Sequence, residues 1–114
     1  MTPFKQGDVI LIPFPFTDFS TFKQRPAVVL SSEAFNFSHP DLIVAAITSH
    51  LPESVPQTEF LLEASDLKAA GLPKASLVKL GKIVTLDQRL IRKRLGTLPP
   101  KTVERLLAQF RHIF

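Results

Sequence analysis

The sequence predicts a mainly β fold with a small α component: an SH3-like barrel, or small and strongly bent sheet, of short antiparallel strands with a C-terminal amphipathic helix. Three observations carry this expectation. Five or six short runs rich in β-branched residues are separated by turn-forming residues. The periodicity changes to a helical one after Pro100. With 114 residues and 45% apolar side chains, the chain can build one modest core, so residues 1–114 are expected to form a single domain.

Taken in order, DVILIPF at residues 8–14 reads as a strand that ends at Pro13 and Pro15. The segment PFPFTDFSTFKQ follows as an irregular loop, with Phe14, Phe16, Phe19 and Phe22 too numerous for an idle solvent loop. Pro26 biases Arg25 toward extended geometry, and AVVLS continues as a strand buried on both faces. DLIVAAITSH at 41–50 and TEFLLE at 58–63 supply two more strands. ASLVKLGKIVTL at 75–86 reads as one long strand or two joined near Gly81. ASDLKAAGL predicts a short helix with a serine or aspartate cap and Gly71 as its stop. RLIRKRLG at 89–96 fits a helical turn or a last strand equally well. Pro100 at a first helical position, with Val103, Leu106, Leu107, Phe110, Ile113 and Phe114 on one face, predicts the closing helix.

Composition narrows the function. No apolar run approaches the roughly 20 residues of a spanning helix, and MTPFKQGDV lacks the layout of a signal peptide. Cysteine is absent, which excludes disulfides and thiolate metal sites and points to the cytoplasm. His39, His50 and His112 are scattered without a ligand motif, so no metal is expected. No glycine-rich phosphate loop or GxSxG elbow is present. A pI near 9.8 leans toward an anionic partner. The basic run Arg89, Arg92, Lys93 and Arg94 can meet phosphates or form a solvated face.

The sharpest local feature is FKQRPAVVL at 22–30, which sets a guanidinium at the lip of a buried strand. Burying a charge is costly unless it is paired. Arg25 can either bridge to Asp8 or Asp18, or face a cleft where its planar fork meets phosphate oxygens. Composition and spacing do not choose between these. Thr48 and Ser49, taken alone, are ordinary hydroxyls at a strand end.

The motifs GDVILIPFPFTD (7–18), KQRPAVVLS (23–31), LIVAAITS (42–49) and GLPKASLVKLGKIVTLDQRLIRKRLGTL (71–98) together resemble the MazF/PemK family of toxin endoribonucleases. They follow the family's order and cover nearly the whole chain. The resemblance implies an SH3-like barrel that forms a homodimer, is neutralised by a cognate antitoxin, and needs no metal or cofactor. The implied reaction is sequence-specific cleavage of single-stranded RNA, in which the ribose 2′-hydroxyl attacks the adjacent phosphorus to leave a 2′,3′-cyclic phosphate and a 5′-hydroxyl. The family's RP motif falls on Arg25 and its third-strand hydroxyl on Thr48, the implied catalytic pair. Thr17, Asp18, Lys23, Gln24, Ser49 and Lys82 are the expected substrate-binding residues. Lys82 stands where some relatives carry a polar amide, which bears on base preference. Ser49 adjoins Thr48 and so faces the other way by strand alternation, whereas His50 would share Thr48's face as an auxiliary acid or base.

Two competing functions stay in view. A non-catalytic gyrase inhibitor related to CcdB would carry a tryptophan in the tip of its last helix, but this chain has no tryptophan and ends FRHIF. A non-cleaving module for single-stranded nucleic acid would use the same aromatic and basic residues to hold without cutting.

Overall fold

A computed structural model of the protein describes residues 4–13 and 24–114. They form strands β1 (Asp8–Pro13), β2 (Gln24–Val29), β3 (Asp41–Thr48), β4 (Glu59–Leu61), β5 (Leu77–Asp87) and β6 (Lys93–Thr97). Helix α1 (Glu33–Ser38) precedes β3, α2 (Ala64–Ala70) precedes β5, and α3 (Pro100–Arg111) closes the chain. The strands make one sheet in the order β4-β5-β3-β2-β1-β6, with every neighbouring pair antiparallel.

Strand alternation sorts the apolar side chains into two clusters. Val9, Val28, Ala45, Val78 and Leu80 join Leu98 and Leu106 in one, against which α3 packs. Ile10, Ile12, Ala27, Val29, Leu42, Val44 and Leu86 form the other. β2 is therefore covered on both faces, as its unbroken apolar run predicts. Each fully buried Val, Leu or Ile contributes about 1.5–3 kcal/mol of transfer free energy.

The long strand at 75–86 is a single strand with a bulge. β5 pairs along the whole of β3, but the register shifts between Ala45 and Ala46, so Leu80, Gly81 and Lys82 have no partner on β3. Such an excess bends a strand and re-aims its side chains. The segment at 89–96 resolves into a 3-10 turn, Gln88–Leu90, and then β6.

Three details differ from expectation. Helix α1 is additional to the elements the sequence predicts; Ser32 caps it, its Oγ accepting the Phe35 N–H at 3.2 Å. Helix α2 is capped by Glu63 rather than by its serine or aspartate. Asp66 instead turns back, accepting the Glu63 N–H at 3.0 Å and the Thr102 hydroxyl at 2.6 Å, and so joins α2 to the first turn of α3. Phe114 lies beyond the end of α3 and is 87% exposed, although its ring meets Phe110 edge-on at 5.2 Å. The rest of the predicted apolar face of α3 packs against the core.

Two glycines let α2 approach β6. Gly71 ends α2 with φ 72°, a left-handed conformation that suits glycine. Gly96 lies under the same helix: a Cβ there would sit 2.2 Å from the Ala69 carbonyl oxygen. That contact is with backbone and cannot be relieved by a side-chain rotation. Gly96→Ala is expected to destabilise the fold by about 2 kcal/mol or more, read as a lower melting temperature. An unchanged melt would mean that the helix moves away at little cost.

Candidate active site

The site is built on the register of β2 against β3. Ala27 lies opposite Ala46, Val28 opposite Ala45 and Val29 opposite Val44. Extended two residues beyond its last pair, this register brings Arg25 level with Thr48, and both alternate to the face of Ala27 and Ala46. The ladder itself ends at Ala27 and Ala46, and Pro26 has no N–H with which to extend it. Ile12 lies opposite Arg25 on β1, and Leu77 opposite Thr48 on β5, which completes a row across four strands. The next row on this face is Ile10, Ala27, Ala46, Lys79 and Glu59.

Thr48 is half-buried, and its Oγ accepts the backbone N–H of His50 at 3.1 Å. A hydroxyl that accepts in this way keeps its own proton to donate. Arg25 is exposed. A bridge from Arg25 to Asp8 is ruled out by what Asp8 already holds. Its buried carboxylate accepts the Lys5 N–H at 2.8 Å and the Thr97 hydroxyl at 2.8 Å, and pairs with Arg94 at 3.5 Å. Among the described residues no carboxylate pairs with Arg25.

The other expected residues divide. Lys82 is exposed and lies in the β5 bulge, where alternation counted from Val84 and from Leu80 gives opposite faces. Gln24 lies opposite Pro13 and alternates to the other face from Arg25. Ser49 is exposed in a bend beyond β3. β3 ends at Thr48, so strand alternation does not carry on to His50, and what His50 supplies is its backbone N–H. Thr17, Asp18, Lys23 and the four phenylalanines at 14–22 lie outside the described residues. Lys79 and Glu59, which are not among the expected residues, share the face and pair at 3.8 Å. Only the register could have revealed them.

Two members of the basic run at 89–94 have structural roles. Arg94 serves Asp8, and Arg89 chelates Asp87 through Nε at 3.1 Å and a terminal nitrogen at 3.0 Å. That side-chain hydrogen bond, with the Arg89 N–H bond to the same carboxylate, holds the Asp87 pKa below its ordinary value. Among the described residues no three His, Cys, Asp or Glu side chains converge as a metal site would require. A cavity of about 910 Å³ opens between β4 and α3, lined by Phe60, Arg105, Gln109 and Ile113 among others, but neither Arg25 nor Thr48 reaches it.

Residues 5–114 match the family model of the PemK-like, MazF-like toxins of type II toxin–antitoxin systems. The chain belongs to this family. It is 31% identical over 101 residues to the endoribonuclease MazF of Staphylococcus saprophyticus, an alignment covering 88% of this chain and 82% of that one. Among solved structures, an endoribonuclease in complex with its cognate antitoxin from a mycobacterial species superposes with TM-score 0.75 at 18% identity, over 95% of this chain and 91% of the other. A MazE–MazF structure from Deinococcus radiodurans gives TM-score 0.72 at 22% identity, over 99% and 95% of the two chains. These structures share the fold of a MazF-like toxin.

The Asp87–Arg89 chelate has a pH consequence. Its contribution is complete above the ordinary carboxylate pKa and is lost as pH falls through the depressed folded value. Arg89→Ala removes the guanidinium but keeps the backbone N–H bond, so the Asp87 pKa is expected to rise part of the way back. Carboxyl-detected NMR titration of the two proteins reads the shift. An unmoved titration would show that the backbone bond alone sets it.

Proposed function

We propose that the protein is a cytoplasmic, sequence-specific endoribonuclease toxin, neutralised by a cognate antitoxin, with Arg25 and Thr48 as its catalytic pair. What supports this reading is that an exposed guanidinium, Arg25, and a hydroxyl with a free proton, Thr48, alternate to one sheet face in a chain that belongs to the MazF/PemK family. Its S. saprophyticus relative is an endoribonuclease MazF, which supports RNA as the substrate. Antitoxin complexes among its structural neighbours support the partner. No described helix is long and apolar enough to cross a membrane, in keeping with the proposed cytoplasmic setting. The chain acts as one domain, its strands sharing one sheet, and works as a homodimer.

In the reaction, the ribose 2′-oxygen forms a bond to the adjacent phosphorus and loses its proton. The bond from phosphorus to the 5′-oxygen breaks, and that oxygen takes up a proton. A 2′,3′-cyclic phosphate and a 5′-hydroxyl result. Negative charge grows on the nonbridging oxygens as phosphorus becomes pentacoordinate, and a fixed guanidinium stabilises that state more than the ground state. Arg25 is suited to this role and unsuited to proton abstraction, because an arginine side chain stays protonated to above pH 12. Thr48 donates its hydroxyl proton to the same oxygens. Lys82, exposed in the β5 bulge, steers phosphate, and Thr17, Asp18, Lys23 and Ser49 contact the RNA around the cut. Since the pair supplies both the positive charge and the donor, the reaction proceeds without a metal or cofactor.

Incubation of the protein with mixed single-stranded RNA in EDTA, followed by end mapping, is expected to yield cyclic phosphate and 5′-hydroxyl ends at a short recurring sequence. Arg25→Ala is expected to lower the rate by a hundredfold or more and Thr48→Val by about tenfold or more, on the scale of losing one transition-state donor. Arg25→Lys should also be poor, since a lysine cannot supply the bidentate fork. Intact RNA from folded protein across varied sequences, or full activity in Arg25→Ala, would sink the assignment.

A further inference from the structure

On the face that carries Arg25 and Thr48, the second row runs from Ala27 and Ala46 to Lys79 and Glu59. Its two alanines make a low floor, and Lys79 is the diagonal neighbour of Thr48, about 7–8 Å away by strand geometry. A lysine side chain spans that distance. Lys82 follows Lys79 in the β5 bulge.

Lys79 is held back, however. Its Nζ lies 3.8 Å from Glu59 Oε1, within ion-pair range but beyond the 2.7–3.2 Å of a hydrogen bond. The Glu59 side chain is 13% exposed and that of Lys79 34%, so the pair is partly shielded from water. The backbone of Glu59 is held in place. Its N–H donates to the Pro56 carbonyl at 3.0 Å, and its carbonyl accepts Gln109 Nε2 at 2.7 Å. An edge strand clamped on both outward-facing groups therefore carries a carboxylate turned in over the sheet. Inward-facing charges also guard sheet edges against unwanted pairing. That role needs no lysine.

We propose that Glu59 is a positioning residue that competes with RNA for Lys79, so that Lys79 transfers from Glu59 to a backbone phosphate next to the one being cut. The inference rests on the endoribonuclease reading and adds to it a determinant of substrate affinity. A phosphate oxygen offers Lys79 the short charge-assisted hydrogen bond that Glu59 does not. Glu59 thus tempers binding without touching substrate.

The probe is a single-stranded oligoribonucleotide with 2′-O-methyl groups, which binds but lacks the attacking hydroxyl. Glu59→Gln is expected to tighten its binding roughly three- to tenfold. It should also steepen the slope of log affinity against log salt by about 0.7, the value for one added phosphate contact on a single strand. With cleavable RNA, KM should fall while kcat does not rise. Lys79→Gln alone should weaken binding, and in its presence Glu59→Gln should have no further effect. An equal effect of Glu59→Gln with and without Lys79, or none at all, overturns the proposal, since Glu59 would then be a simple repulsive charge or an edge guard. Should Glu59→Gln fail to fold, Glu59→Thr reads the same cycle, and failure of both assigns Glu59 a structural role and overturns it too. If the wild-type protein does not bind the probe, the endoribonuclease reading falls as well. If it binds through Arg25 and Lys79 but ignores Glu59, only this inference falls.

Discussion

The pairing register of β2 and β3 is the constraint on which the candidate site depends. A slip of one residue would turn Arg25 to the opposite face from Thr48. The two apolar clusters forbid it, because Val28 must enter one and Ala27 and Val29 the other. A slip of two would preserve the faces, and hydrophobicity alone opposes it weakly. The far end of the pair closes that route. The Leu30 N–H donates to the Ile43 carbonyl at 2.8 Å, and Ser31 Oγ accepts the Ile43 N–H at 3.1 Å. Ser31 Oγ in turn donates to the Asn36 side chain, whose amide returns a bond to the Ser31 carbonyl at 3.1 Å. Helix α1 is therefore a lock on register: buried Asn36 leaves its partners no second arrangement of comparable energy.

Polar groups elsewhere in the interior serve the same end. Asp8 ties the start of β1 to β6 through Thr97 and Arg94, and Asp66 ties α2 to α3 through Thr102. Among the described residues no buried side-chain polar atom lacks a partner. An unpartnered one would cost about 1–3 kcal/mol. The fold thus uses apolar burial to choose faces and a few satisfied polar contacts to choose positions along them.

That division explains what the sequence disclosed. Strand identity, the bend near Gly81, the Gly71 stop and the start of α3 at Pro100 follow from periodicity and turn chemistry, which are local. The Arg25–Thr48 pairing came from motif resemblance, and its geometric basis is non-local: nothing between residues 25 and 48 announces which residue faces which. Helix α1 was missed because SSEAFNFSHP has no apolar stripe, and its stability comes from Asn36 and from Gln88, which reaches across to the Asn36 carbonyl at 2.9 Å. The Glu63 cap was missed because Asp66 is the more familiar capping residue, and only the position of Thr102 shows why it points elsewhere. Lys79 and Glu59 look like two unrelated charges until β4 and β5 are laid side by side.

A formal charge of +4 says little about where an anion would bind, because several of the cations are committed internally. Arg94 neutralises buried Asp8, Arg89 is chelated by Asp87, and Arg105 divides itself between Glu63 at 3.7 Å and the face of Phe60 at 5.6 Å. None of these can turn to a polyanion without abandoning a partner. Arg25 and Lys82 have no carboxylate partner among the described residues, and Arg25 shares one sheet face with Thr48. Lys79 lies between the two groups, on that face yet partly restrained. Internal carboxylates thus cancel part of the positive charge, and they leave Arg25, placed by the β2–β3 register, without a carboxylate partner among the described residues.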